Sequence, residues 1–388
     1  MLRVSRQRGL RVLMTADAVG GVWTYATTLA RALAERGHEI VLVTLGPAPT
    51  PAQRAALTGV AGVRLLVTDL ALEWMDPEGR DLSRARDMLA GVADDIAPDI
   101  VHLGGYREAT IPFAAPVLVV AHSCVRSWWR ACRGAEPDEP RWTTYMDNVA
   151  AGLATATAWA APTLAFRDTI AALYAPPSVG IVVPNGIDTQ ALAPARAPVP
   201  RRPVVLAAGR LWDEAKGLDT LLAAAPKIPW PVRLAGEAAA PDGRPAVSTS
   251  DTVTTLGPLD RPALLDEMRR SEVVVAPALY EPFGLGIAEA AASGAALVLS
   301  DLPSLRELWD GAALFVEPRD AAALATAVRG LCEDPARRTA LQRAARDRAG
   351  RYTVAAMATR VEGLYDVLVA GAGRGAVIST AISAETVA

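Results

Sequence analysis

The sequence predicts an α/β chain built from two doubly wound parallel sheets, and three observations carry that prediction. Short apolar runs alternate with longer amphipathic ones along the chain. The alternation stops once, at a proline-rich spacer near residues 189–203. It then restarts with the same rhythm, as βαβ units in series do.

In the first half, Arg11–Thr15 reads as a strand, Gly20-Gly21 as a turn, and about Val22 to Arg36 as a helix. Glu39–Thr44 is the next strand, entered through Gly37-His38. Val63–Val67, Ile100–Leu103, Val117–Ala121, Ala158–Pro162 and Gly180–Val183 continue the series. The spacer Ala193-Pro194-Ala195-Arg196-Ala197-Pro198-Val199-Pro200 suits an inter-domain linker, because its prolines continue neither a helix nor a central strand.

In the second half, Val204–Ala208, Val232–Ala235, Thr252–Leu256, Val273–Ala276, Ala296–Leu299 and Ala313–Val316 read as strands. Helices are expected over Gly217–Ala225, Pro262–Arg269, Ala321–Glu333, Pro335–Ala349 and Val354–Leu368. The expected domains are residues 1–190 and 191–353, followed by a closing helix. A small-residue tail, 371–388, is expected to fray. Sheets of this kind bind ligands at the carboxyl ends of their strands, which places the expected ligand cleft between the two domains.

Bulk composition narrows the function classes. The chain has 388 residues, enough for two domains, and 51% are hydrophobic, which argues against a disordered chain. A net charge of -3 gives no nucleic-acid footprint. Cys124, Cys132 and Cys332 lack metal-ligand spacing and read as reduced thiols of a cytoplasmic protein. No segment reads as a transmembrane helix or a signal peptide. Arg3, Arg6, Arg8 and Arg11 read as a solvated start, with weak peripheral attraction to the inner face of an anionic membrane as the sharper alternative. Neither half carries G-x-G-x-x-G, which disfavours a nicotinamide enzyme.

The most informative segment is Leu279-Tyr280-Glu281-Pro282-Phe283-Gly284-Leu285-Gly286-Ile287-Ala288-Glu289-Ala290. Pro282, Gly284 and Gly286 keep its first part in a loop, and a helix is expected from about Gly286 to Ser293. The glycines let backbone N–H groups approach a ligand, and a helix N-terminus favours an anion. Glu281 and Glu289 can accept hydrogen bonds from sugar hydroxyls. A second segment is Gly209-Arg210-Leu211-Trp212-Asp213-Glu214-Ala215-Lys216-Gly217. There Arg210 can grip a phosphate in two-pronged fashion and Lys216 can act as a point charge on the same anion.

These segments, with Ser293-Gly294 and Ser300-Asp301-Leu302-Pro303, resemble the E-x7-E and Gly-Arg…Lys-Gly motifs of the family 4 retaining glycosyltransferases. The resemblance implies the GT-B fold: α/β, two Rossmann-like doubly wound domains facing each other across a donor-binding cleft. It implies transfer of a hexose-type sugar from a nucleotide-diphosphate sugar, with no other cofactor, to an acceptor the sequence leaves open (glycan, lipid, small molecule or protein). It assigns Arg210, Lys216, Glu281, Phe283, Gly284, Leu285 and Glu289 to the donor. Glu281 lies by the hexose, Glu289 on the ribose, and the intervening amides on the sugar hydroxyls and diphosphate. Gly20-Gly21-Val22 resembles the family's N-domain glycine loop near the donor phosphate and acceptor. His122 matches a histidine near the anomeric carbon, so the expected catalytic group is Glu281, His122, Arg210 and Lys216. Asn185-Gly186-Ile187-Asp188 resembles the family's inter-domain hinge, and Tyr352–Leu368 resembles its final helix, which implies that a helix at about 354–370 returns to complete the domain of residues 1–190.

His38 reads as structural, His102 as a packing residue or a support for the site rather than a catalytic group, and Ser127-Trp128-Trp129-Arg130 with Trp142 as either core or an acceptor-stacking surface. The resemblance implies same-face attack, the leaving phosphate taking the acceptor proton. The absence of a D-x-D triplet predicts no essential metal. A GT-B epimerase or phosphorylase, or a non-catalytic sugar-nucleotide-binding partner protein, stays open as an alternative.

Overall fold

A computed structural model describes residues 9–188, 200–238 and 252–372. It divides into two compact units, which are described separately. The first comprises residues up to 129, 135–186 and the helix that starts at Val354; the second comprises residues 130–134 and 187–353.

The first unit holds a seven-stranded sheet, β1 (Arg11–Asp17), β2 (Glu39–Leu45), β3 (Val63–Leu66), β4 (Ile100–Leu103), β5 (Val117–Val120), β6 (Ala158–Ala161) and β7 (Ile181–Val182). All neighbours pair in parallel in the order β3-β2-β1-β4-β5-β6-β7. The central strands β4 and β5 are buried at every position. That explains why, His102 apart, their sequences are apolar: helices cover both faces of a parallel sheet, so neither central strand meets water. Helix Gly21–Glu35 packs on β1 and β2, and helix Val354–Ala372 packs on that helix. Leu29 and Leu33 of the first and Tyr365 and Leu368 of the second are fully buried. Each such leucine contributes roughly 1.5–3 kcal/mol through the apolar surface it removes from water. The second helix runs four residues past the expected Leu368, because Val369-Ala370-Gly371-Ala372 carries nothing that stops it: alanine is the best helix former, and one glycine costs only about 1 kcal/mol.

His38 closes this corner. Its Nδ1 accepts from the Leu10 amide at 3.0 Å, and its Nε2 lies 3.0 Å from Glu362 of the returning helix, which also pairs with Arg36 at 2.9 Å. The structural reading of His38 matches these contacts.

Helices Leu82–Ile96, Val125–Arg133 and Pro140–Thr155 fill stretches where the sequence rhythm is weakest. A buried ionic knot ties the first of these stretches, through residues 71–76, to the turn after β4. Arg107, 1% exposed, binds Glu108 at 2.8 Å, Asp76 at 2.9 Å and the Ala71 carbonyl at 2.7 Å. Glu73 accepts from the amides of Tyr106 and Arg107 at 3.2 and 3.1 Å. Burial, with the Glu108 charge beside it, pushes the Glu73 carboxyl up to about 7, against the pull of those amides and of Arg107. The folded protein therefore holds a proton on Glu73 that the unfolded chain releases near its ordinary value of about 4.3. Stability is expected to fall as pH rises from about 4.5 to about 7, and to level off above that. Thermal midpoints of wild type and Glu73→Gln across that window check this: the variant should lose the slope.

The second unit holds a six-stranded sheet, β8 (Arg202–Ala208), β9 (Val232–Ala235), β10 (Val253–Gly257), β11 (Ser271–Ala276), β12 (Ala296–Ser300) and β13 (Leu314–Val316), in the order β10-β9-β8-β11-β12-β13, again all parallel. β8 starts two residues before the expected Val204, within the last residues assigned to the spacer; residues 189–199 of that spacer lie outside the described residues, as do 373–388 of the tail and Arg3, Arg6 and Arg8. Helices Leu285–Ala292, Pro303–Trp309 and Pro335–Ala349 enclose one core around the fully buried Trp309. Helices Leu218–Ala224 and Ala321–Glu333 enclose the other around Leu221, Val273 and Val328. Among the described residues, no helix is long and apolar enough to cross a membrane.

Candidate active site

In each sheet the strand order reverses between two neighbours: β1 and β4 in the first, β8 and β11 in the second. Loops that leave such a pair diverge and open a crevice at the carboxyl ends of the strands. The two most informative segments of the sequence are the loops after β8 and β11.

After β8, Gly209 takes φ +153°, and its amide donates to the Ala235 carbonyl at 3.0 Å. Leu211 is buried and anchors the loop. Asp213, 8% exposed, organises the remainder of the loop. Its Oδ2 accepts from the Nη2 and Nε of Arg210 at 2.6 and 3.2 Å, and its Oδ1 accepts from the Ala215 amide at 3.0 Å. Burial pushes the Asp213 carboxyl up, but Arg210, Lys216 and the Ala215 amide outweigh it and hold the group below the usual carboxylate range. Arg210 is thus kept forked and partly exposed, with its guanidinium 5.5 Å from the Trp212 ring centre. The turn Glu214–Lys216 ends on Gly217 at φ +60°, where helix Leu218–Ala224 begins. The main chain between Arg210 and Lys216 is therefore fixed by one buried aspartate, to which sequence reasoning gave no role.

The loop after β11 is tied to this one. The Leu279 and Tyr280 amides both donate to the Ala215 carbonyl, at 2.8 and 3.4 Å. Lys216 Nζ reaches across to Glu281 Oε2 at 2.8 Å. The Glu281 carbonyl accepts from the Ser304 hydroxyl at 2.5 Å, so helix Pro303–Trp309 fixes the main chain at the first glutamate. Gly284 adopts the left-handed conformation (φ +85°) and caps helix Leu285–Ala292, which starts one residue before the expected Gly286. A β-carbon at Gly284 would sit 2.7 Å from Ile287 Cδ1. Only glycine lets the chain turn so tightly that the helix's unsatisfied N–H groups are presented at this end.

Phe283 lies differently from a ligand-contacting ring. It is 3% exposed, and its ring packs edge-on against Tyr352 with centroids 5.6 Å apart. What it can offer a donor is main-chain; its side chain anchors the loop in the core. Phe283→Ala is expected to cost about 3–5 kcal/mol and lower the thermal midpoint by roughly 10 °C, measurable by calorimetry.

Glu289 sits on the second turn of the helix, 5% exposed. Burial pushes its carboxyl up, and Arg261 partly offsets that. Arg261, the first residue of helix Arg261–Arg270, approaches Glu289 Oε1 to 2.6 Å in an ion pair. Sequence reasoning missed Arg261. The available signal was a cation in the first turn of a helix, where the macrodipole disfavours it.

Arg210, Lys216, Glu281 and Glu289 thus lie on loops and helix starts at the carboxyl ends of β8 and β11. Both expected phosphate cations are ion-paired. Each is held by its own carboxylate, Asp213 or Glu281.

In the first unit, Gly21 follows β1 and opens helix Gly21–Glu35. Gly20 is extended at φ −175°, and Gly21 is exposed at the helix start, where backbone N–H groups are unsatisfied. His122 follows β5 and packs edge-on against Tyr25, with centroids 4.4 Å apart. Burial depresses His122 to about 4, so its ring is neutral at pH 7. Its Nε2 is buried and has no hydrogen-bond partner among the described residues.

His102, expected to pack or to support the site, holds that packing in place. Its Nδ1 lies 2.6 Å from the Tyr365 hydroxyl and its Nε2 3.3 Å from the Tyr25 hydroxyl. Burial, with His122 adding, depresses it to about 3. A neutral imidazole has one N–H and one bare nitrogen, so one tyrosine donates and the other accepts. Tyr365→Phe leaves a buried nitrogen unpaired and is expected to cost about 1–3 kcal/mol, read as a drop in thermal midpoint.

Comparison with known proteins agrees with this architecture. The family described as Glycosyltransferase Family 4 matches residues 19–191, and that described as Glycosyl transferases group 1 matches residues 202–334. The chain is 29% identical over 381 residues to glycogen synthase of Mycobacterium tuberculosis, covering 87% of this chain and 90% of that protein. It is 28% identical to D-inositol 3-phosphate glycosyltransferase of Xylanimonas cellulosilytica, covering 87% and 89%. Among solved structures, sucrose-phosphate synthase from Thermosynechococcus elongatus superposes with a TM-score of 0.78 at 22% identity, over 93% of this chain and all of that one. Anabaena HepE in complex with UDP-glucose superposes with a TM-score of 0.73 at 16% identity, over 92% of this chain and all of that one. With its two Rossmann-like units and both family matches in chain order, the chain belongs to the family 4 glycosyltransferases of GT-B fold and is a sugar-transferring enzyme.

Proposed function

We propose that this enzyme transfers a hexose from a nucleotide-diphosphate sugar to an acceptor, with retention at the anomeric carbon and without an essential metal. The observation that carries this reading is the set of two ion pairs, Arg210 with Asp213 and Lys216 with Glu281, beside the Gly284-capped helix start, at the strand-order reversal of the second sheet. This set offers cations and amides to a diphosphate and carboxylates to hydroxyls.

In the proposed reaction the bond from the anomeric carbon to the phosphate oxygen breaks, and the bond to the acceptor oxygen forms on the same face. The acceptor proton passes to the leaving phosphate oxygen. Negative charge grows on the diphosphate as its bond breaks, so Arg210 and Lys216 stabilise the transition state more than the ground state. Glu281 orients the hexose. His122, as a neutral ring, offers a hydrogen bond to a sugar hydroxyl, and the Gly20-Gly21 helix start offers N–H groups. This reading takes the cytoplasm as the setting, where thiols such as Cys124, Cys132 and Cys332 stay reduced.

The test incubates the enzyme with UDP-, GDP- and ADP-hexoses and an acceptor panel that includes glucan primers and inositol phosphates, followed by proton NMR. The expected result is acceptor-dependent release of nucleoside diphosphate, a product with the donor's anomeric configuration, and a rate unchanged by EDTA. Inversion, or donor turnover to an epimer without acceptor, overturns the reading.

A further inference from the structure

Three features of the Glu289 surroundings call for one explanation. The carboxylate is 5% exposed, so its ionised form needs a partner. Arg261 is the cation paired with it. Arg261 Nη1 stands 2.6 Å from Glu289 Oε1, a buried oxygen with no further partner among the described residues.

Arg261 is itself placed against its local preference. Asp260 caps the helix by accepting from the Ala263 amide at 2.9 Å, and Pro262 suits the first turn. A cation between them faces the positive end of the macrodipole. Helix formation alone gives no reason for arginine here; the buried carboxylate on the neighbouring helix does. The side chain remains 40% exposed while its guanidinium reaches Glu289.

We propose that Arg261 is a positioning residue for the nucleoside end of the donor, holding Glu289 ionised and oriented so that the carboxylate accepts both ribose hydroxyls. The proposal rests on the reading of Glu289 as the ribose acceptor. An ionised carboxylate has about four acceptor positions, so it can keep the arginine and still take two O–H donors. A protonated one would offer an O–H where the ribose also offers O–H groups.

The test measures affinity by calorimetry for the nucleoside diphosphate that the wild-type enzyme binds tightest and for its 2′,3′-dideoxy counterpart. Wild type, Arg261→Gln, Arg261→Lys and Glu289→Gln are compared. Wild type is expected to prefer the ribose form about tenfold or more, since hydrogen bonds to a charged acceptor are the strong ones. Glu289→Gln and Arg261→Gln should both cut the preference to about threefold or less, and Arg261→Lys should restore most of it. Affinity for the dideoxy form should change little, which a general loosening of the fold would not produce. If wild type shows no ribose preference, or Glu289→Gln keeps it, the ribose reading of Glu289 falls and the proposal with it. If Glu289→Gln loses the preference and Arg261→Gln keeps it in full, the ribose reading stands and the role of Arg261 is refuted.

Discussion

Lys216→Ala is expected to lower kcat/KM about 10²–10³-fold, the usual cost of losing one group aimed at developing negative charge. The loss should fall mainly on kcat, because Lys216 acts most strongly when the leaving diphosphate carries its full charge. Stability should barely move. Lys216 is 27% exposed and Glu281 17% exposed, and a partly solvated pair contributes about 0–1 kcal/mol. Steady-state kinetics together with a thermal melt separate the two effects. A variant that melts normally and turns over at the wild-type rate would remove Lys216 from the chemistry.

Gly217→Ala should damage the same site through the backbone. Gly217 sits at φ +60°, where a β-carbon costs about 1–2 kcal/mol. That β-carbon would also lie 1.9 Å from the Pro277 carbonyl oxygen, a main-chain atom that cannot rotate away. The loops after β8 and β11 would have to separate, although the Leu279 and Tyr280 amides bind the Ala215 carbonyl between them. Arg210 and Lys216 would then lose their registration with Glu281. The expected result is a midpoint lower by roughly 5 °C or more and donor affinity weaker by at least about tenfold. Gly286→Ala is the control for stability. It lies inside helix Leu285–Ala292, has nothing within 4 Å of its would-be β-carbon, and should raise stability by about 0.4–1 kcal/mol. Equal midpoints for the two variants would contradict the close-approach account.

Most strands could be read from sequence because buried parallel strands are near-continuous apolar runs. Ile100–Leu103 and Val232–Ala235 were located to the residue. Helices between residues 82 and 155 were harder. Leu82–Ile96 buries only Ala85 and Leu89, so its apolar stripe is thin, and its segment is held to the sheet by Arg107 and its carboxylates instead. Within the second unit, Arg210, Lys216, Glu281 and Glu289 stand out as candidates because they fall in glycine-containing segments that follow strands and resemble family motifs. Asp213 and Arg261 do not. Their importance comes from partners three residues away in one case and twenty-eight in the other, and spacing alone does not show which side chains meet. Phe283 shows the converse: its motif position is legible, but its core packing appears only in three dimensions.

The most direct test of the central claim, that the second unit grips a nucleotide-diphosphate sugar through Arg210, Lys216 and the Glu281–Glu289 segment, is a calorimetric titration. UDP-, GDP- and ADP-sugars are titrated into wild type and into the Arg210→Ala/Lys216→Ala double variant. The account predicts one-to-one binding of at least one such sugar to wild type and at least about a hundredfold weaker binding to the double variant. Failure of every nucleotide sugar to bind, or equal binding by the double variant, would contradict it.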